Sequence, residues 1–193
     1  MKLTTFWVLF PALFFNTSQI FAEYENTNGK PIEKSFKDLL EWSTSDVDTK
    51  IDFIELSDDW KDLNLEADNN YAIWIGHSTF LIKKNGYTIL TDPVFSERAS
   101  PFKNIGPKRL IPPAIPIDSL PNIDFVTVSH NHYDHLDTAS LKEIYINNPN
   151  AIFLVPAGDK RILQRKGIKN IFEYEWWNGY VANNLEIIFT PVQ

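Results

Sequence analysis

Three of the four histidines in this 193-residue sequence fall within six positions, in the string Ser129-His130-Asn131-His132-Tyr133-Asp134-His135-Leu136-Asp137. Imidazole and carboxylate are the donors that bind zinc and related cations. The string follows an apolar run, Phe125–Ser129, that reads as a strand. On an extended segment leaving that strand, side chains alternate, so His130 and His132 face one side and can share a cation. Asp134 and His135 lie past the bend toward the next helix and can reach a second cation nearby. Two such ions a few ångströms apart can share a bridging hydroxide, a nucleophile that survives at neutral pH. A lone loop histidine needs no ligand role, but three with an aspartate in H-x-H-x-D-H spacing point to a metal loop. Zinc is the expected metal, and iron or manganese would accept the same donors.

The surrounding pattern must position this loop. Tyr71–Ile75, Thr79–Lys83 and Tyr87–Thr91 read as strands, and Asn85-Gly86 between the last two is a strong hairpin signal. Residues 93–121 carry seven of the twelve prolines, which removes ladder donors and predicts a long irregular loop. Strand–helix alternation then follows, with Ser140–Ile146 and Asp159–Arg165 as helices and Ala151–Val155, Ile171–Tyr174 and Leu185–Thr190 as strands. That order predicts an α/β (α+β) layered fold with helices covering a sheet.

Residues 1–22 have the layout of a secretory signal peptide: Lys2, an apolar run from Phe6 to Phe15, and Ala22 before the cut. An exported, periplasmic chain is expected, without a stable membrane span once the signal is removed. Residues 23–70 form an N-terminal extension, with helical spacing and a proline start over Pro31–Trp42. The sequence has no cysteine, so neither disulfides nor thiolate ligands are available to it. Its net charge of −7 argues against nucleic acid as a partner.

The metal loop H-x-H-x-D-H is the signature of the metallo-β-lactamase fold superfamily. Within it, Ser129–Asp137 resembles the N-acylphosphatidylethanolamine-hydrolysing phospholipase D family. Trp74-Ile75-Gly76-His77-Ser78-Thr79, Leu90-Thr91-Asp92-Pro93 and Gly106-Pro107-Lys108-Arg109 are similar to that family too, in the same order. The resemblance implies an αββα sandwich and a two-zinc hydrolase of a phosphodiester or phospholipid. His130 and His132 would serve one metal and Asp134 and His135 the other, with Asp134 also orienting the hydroxide. It further implies that Asp92 supports the histidine loop from behind; a plain turn aspartate is the other reading. His77 is either a core histidine or a contact near the metals. Trp176 and Trp177 are either core or lipid-facing, and Lys108 and Arg109 either solvated or phosphate-binding.

In the family a Thr-Pro-x-Gln stretch leads directly to a third histidine of the first metal, and a bridging aspartate and a last histidine follow. Here Thr190-Pro191-Val192-Gln193 closes the sequence. The expectation is therefore an incomplete domain over 71–193, the N-terminal half of the sandwich, with an uncovered apolar sheet face. Two further readings stay open: a lactonase or another hydrolase on the same fold, and an inactive remnant or half-domain that needs a second chain.

Overall fold

The structure is a computed structural model that describes Lys37 and residues 56–67, 69–100, 104 and 106–191. The signal peptide expected over 1–22 and the helix expected over Pro31–Trp42 lie outside the described residues, apart from Lys37, which is helical. Among the described residues no helix is long and apolar enough to cross a membrane.

Six strands form one mixed sheet in sequence order: β1 (Tyr71–Gly76), β2 (Thr79–Lys84), β3 (Tyr87–Thr91), β4 (Phe125–Thr127), β5 (Ile152–Pro156) and β6 (Ile171–Tyr174). The first three are antiparallel, because short turns join them. Asn85 and Gly86 both take positive φ, +54° and +84°, as a two-residue hairpin turn requires. From β3 onward neighbours are parallel. Parallel strands need long crossovers. The proline-rich segment makes the first, α1 (Thr138–Asn147) lies in the second, and α2 (Lys160–Gln164) in the third.

All three crossovers cover one face. Leu141 and Ile144 of α1, Leu163 of α2 and Ile115 and Ile123 of the proline-rich segment pack on Leu81, Leu90, Val126 and Phe153 of the sheet. Each of these side chains is at most 2% exposed, so this face is the main core. At about 25 cal/mol per Å² of buried apolar surface, it is the dominant stabilising term. Asp137 caps α1 by accepting from the Ala139 and Ser140 amides. Its other oxygen accepts from Ser96 N–H at 3.1 Å, while Ser140 Oγ accepts from Phe95 N–H at 2.9 Å. The cap thus also fastens the start of the proline-rich crossover to the helix.

The opposite face is partly covered, which corrects the expectation of a bare one. A hairpin of β7 (Gly179–Ala182) and β8 (Leu185–Ile188) packs Leu185, Tyr180 and Ile187 over Ile89, Phe125 and Leu154. Trp74 and Phe80, paired across β1 and β2, remain exposed. The sequence reading missed β7, since its four residues carry weak alternation and its turn is Asn183-Asn184 rather than Asn-Gly. It also drew β8 two residues too long, to Thr190.

Candidate metal centre

The strand ends place the histidine loop. β4 stops at Thr127, two residues short of the expected Ser129, because the backbone turns there toward a side chain instead of a neighbouring strand. Val128 N–H still bonds Leu154 O at 2.9 Å, whereas Ser129 N–H donates to Asp92 Oδ1 at 2.6 Å. Residues 130–135 therefore do not continue as an extended segment. They coil, with the His135 and Leu136 amides both donating to His132 O at 3.0 and 2.7 Å. This brings His130, His132, Asp134 and His135 to the carboxyl end of the parallel strands, where open α/β sheets place their ligands.

Asp92, just past β3, organises the loop. The residue is buried, and its carboxylate accepts Ser129 N–H, Ser129 Oγ–H at 2.7 Å and His135 Nδ1–H at 2.8 Å. The residue takes φ +36°, a left-handed conformation that aspartate tolerates better than most. A buried carboxylate opposite Nδ1 fixes the proton there and leaves His135 Nε2 with its lone pair free. Ser129 extends the effect: having donated to Asp92, its Oγ can accept from His130 Nδ1 at 3.0 Å, which turns His130 Nε2 outward as an acceptor.

The donors converge. His130 and His135 rings lie 4.0 Å apart and His130 and His132 rings 4.7 Å. His130 Nε2 and His132 Nδ1 are separated by 3.1 Å, a spacing at which two ring nitrogens share a proton or a cation. His135 Nε2 is 3.6 Å from Asp134 Oδ2, and His77 Nε2, from the β1–β2 turn, is 3.1 Å from the same oxygen. One donor atom each from His77, Asp134 and His135 lies within 4.8 Å of the other two. His77 is exposed, so it is no core histidine.

Electrostatics suit cation binding. Partial burial, followed by the neighbouring His135 and His132, holds His130 below the ordinary imidazole range against the pull of Asp92 and Asp134. Desolvation works to raise the Asp134 carboxyl, but its own backbone amide and the His135 and His77 imidazoles outweigh this and keep it below the usual carboxylate range. A neutral His130 imidazole and an ionised Asp134 carboxylate are the protonation states that metal ligation requires of these two groups.

Behind the loop, Asn131 Nδ2 donates to Asp159 Oδ1 at 3.0 Å, tying the His130–His132 backbone to the β5–α2 connection. Asp159 is 5% exposed, and burial raises its carboxyl above the usual range, with the Asn131 hydrogen bond opposing. The sequence reading missed this strut; an aspartate ahead of a short helix looks like an ordinary cap. The structure also narrows the open readings at the flanking residues. Trp177 is 71% exposed rather than core, while Trp176 is half-buried. Arg109 is not a solvated charge, for its guanidinium is half-buried and donates to the Val94 and Ile111 carbonyls, whereas Lys108 is exposed.

Residues 72–192 match the family described as the beta-lactamase superfamily domain. The chain belongs to the β-lactamase superfamily. It carries the metallo-β-lactamase fold, with the histidine loop at the strand ends. Among curated relatives it is 44% identical over 98 residues to N-acyl-phosphatidylethanolamine-hydrolyzing phospholipase D 1 of Caenorhabditis elegans, covering 51% of this chain and 28% of that one. It is 39% identical over 118 residues to the mitochondrial N-acyl-phosphatidylethanolamine-hydrolyzing phospholipase D of Saccharomyces cerevisiae, covering 61% and 25%. The chain thus spans less than a third of the length of these relatives. Among solved structures, the diiron β-hydroxylase CmlA of Streptomyces venezuelae superposes with a TM-score of 0.52 at 23% identity, over 66% of this chain and 24% of that one. That similarity concerns the fold alone.

Proposed function

We propose that this chain forms the metal-binding part of a metal-dependent phosphodiester hydrolase that acts on a phospholipid-like substrate. The observation that carries the reading is the convergence of the His130, His132 and His135 imidazoles and the Asp134 carboxylate at one sheet end, backed by Asp92. The likeness to the phospholipases D of the worm and yeast supports the substrate class. The donor set of imidazoles and carboxylate suits zinc, with iron or manganese as the other metals it would accept. His130 and His132 would hold one ion and Asp134 and His135 a second. A bound ion supplies Lewis acidity and lowers the pKa of water so that it attacks phosphorus at neutral pH.

The chain's own residues do the positioning. Asp92 sets the His135 tautomer and, through Ser129, that of His130, so both present Nε2 to the site. Asp134, held ionised, can accept a hydrogen bond from the attacking water and keep its lone pair directed at substrate. Arg109 is occupied by main-chain carbonyls, whereas Lys108 beside it is exposed and could meet a phosphate. Export to a periplasm, read from residues 1–22, belongs to the same proposal and is tested by N-terminal sequencing of the secreted protein.

The test is metal content and turnover of the purified chain on a chromogenic phosphodiester, on N-acylphosphatidylethanolamine in detergent micelles, and on lactone and β-lactam substrates, with His132→Ala as control. Chelator-sensitive, His132-dependent phosphodiester cleavage is expected. Cleavage of a lactone but not a phosphodiester would overturn the substrate class. Metal uptake without turnover on any of them would reduce this chain to a binding module.

A further inference from the structure

His77 stands outside the H-x-H-x-D-H string by more than fifty residues, yet its Nε2 lies within hydrogen-bond distance of Asp134 Oδ2, at 3.1 Å. We propose that His77 is itself a metal ligand, completing with Asp134 and His135 a three-donor site for a divalent cation of the zinc type. This rests on the metal reading above and assigns to the β1–β2 turn a role that the histidine loop alone does not cover.

Three observations carry it. The first is the distance set: His77 Nε2 and His135 Nε2 approach the same Asp134 oxygen at 3.1 and 3.6 Å, and the three donor atoms fall within 4.8 Å of one another. A tetrahedral ion with bonds of about 2.0–2.2 Å separates its ligand atoms by somewhat over 3 Å, so a small inward movement closes the set. The rings of His77 and His135 already face each other edge to face, with centroids 5.0 Å apart.

The second is the backbone. His77 takes φ +50°, and Gly76 before it φ +143°. A positive φ is uncommon for any residue with a side chain, although histidine adopts it more readily than most, and such conformations cluster at functional sites. A turn needed only to connect β1 and β2 would be served by glycine or asparagine.

The third is the framing of the turn. Trp74 Nε1–H donates to His77 O at 2.8 Å, and Thr91 Oγ1–H donates to Ser78 O at 2.9 Å. Arg109 Nη1 sits 3.1 Å from where a Cβ on Gly76 would stand, filling the space under the turn. The imidazole is about half exposed, facing Asp134 at the mouth of the site, where a cation arrives from solvent.

The experiment uses the full chain, stripped of metal by chelation and titrated with Co²⁺, whose visible band reports coordination, alongside competition with a chromophoric chelator. Asn tolerates the left-handed backbone, so His77→Asn keeps the turn and removes the ring. Expected is at least a tenfold weaker affinity for one bound equivalent with an altered Co²⁺ band, while His132→Ala weakens the other equivalent. Zinc-loaded wild type gives a check that needs no variant: the His77 Nε2 resonance in imidazole ¹⁵N spectra moves to the position of a metallated nitrogen. Unchanged affinity and band in His77→Asn, or a His77 Nε2 that stays at its zinc-free position, overturns the assignment and leaves the metal reading standing. A wild-type chain that takes up no Co²⁺ or zinc overturns both.

Discussion

Replacing Asp92 with asparagine keeps the shape and the φ +36° backbone of that residue while removing its charge, so the change isolates one link between fold and site. In the wild type, Oδ1 accepts Ser129 N–H and Oδ2 accepts both Ser129 Oγ–H and His135 Nδ1–H. With the amide oxygen retained toward Ser129 N–H, the amide NH₂ takes the place of Oδ2. Ser129 Oγ can reverse and accept from it. His135 Nδ1–H cannot, because two donors would then face each other at 2.8 Å. The ring escapes by moving its proton to Nε2, the nitrogen that points at Asp134, and that nitrogen then has no lone pair for a cation. Changes at partners behind a metal-ligating histidine typically cost ~10–100-fold in metal affinity, about 1.4–2.7 kcal/mol. The stability cost of the metal-free protein is expected to be smaller than that of Asp92→Ala, which strands a buried amide at about 1–3 kcal/mol. Chelator competition gives the affinity, and thermal melts of the metal-free proteins give the stability. Metal affinity within twofold of wild type, with only the melting temperature lowered, would refute the tautomer argument and reduce Asp92 to a structural brace.

Gly76→Ala places a methyl 3.1 Å from Arg109 Nη1 at φ +143°, so a loss of about 1–3 kcal/mol is expected in chemical unfolding, and no change would mean the turn relaxes freely. Burial raises the Asp159 carboxyl, so its ionised form costs folding free energy at neutral pH. Asp159→Asn keeps an acceptor for Asn131 and should raise the melting temperature at pH 7, a gain that fades as pH falls through the raised carboxyl pKa. Equal melting temperatures of wild type and variant at pH 7 would contradict it. His130 is held below the free imidazole, so the unfolded chain binds a proton there before the folded one does. The metal-free protein should therefore lose stability as pH drops below about 6.5, and His130→Asn should flatten that slope; an identical slope in the variant would assign the loss elsewhere. Gly179→Ala drives a Cβ to 2.1 Å from Ile187 O, so hydrogen exchange in β7 and β8 should accelerate while that of β4 and β5 is unchanged.

Much of the architecture was legible from local pattern. Asn85-Gly86 announced the β2–β3 hairpin, and continuous apolar runs announced β4 and β5, since strands covered on both faces lose their alternation. The proline density over 93–121 announced the long crossover, but not how it packs: Ile111 is half-buried and Ile115 fully buried, while Leu110 is exposed. β7 escaped because four residues with an Asn-Asn turn carry little periodicity; what makes them a strand is Leu185 and Tyr180 seated on Phe125 and Leu154.

The site divides the same way. That His130, His132, Asp134 and His135 act as a group was written in their spacing, because residues so near in sequence cannot lie far apart in space. Their conformation was not: the expected alternation gave way to a coil once Ser129 N–H found Asp92 instead of a strand partner. His77 and Asp92 lie 53 and 38 residues before His130, and no local pattern says which way their side chains point. β2 runs antiparallel to β3 and β3 parallel to β4, so the β1–β2 turn, the end of β3 and the end of β4 all meet at one edge of the sheet. Sequence supplied the donors through short-range spacing; the tertiary fold decided which distant partners orient them, because strand register alone sets what meets across the sheet end.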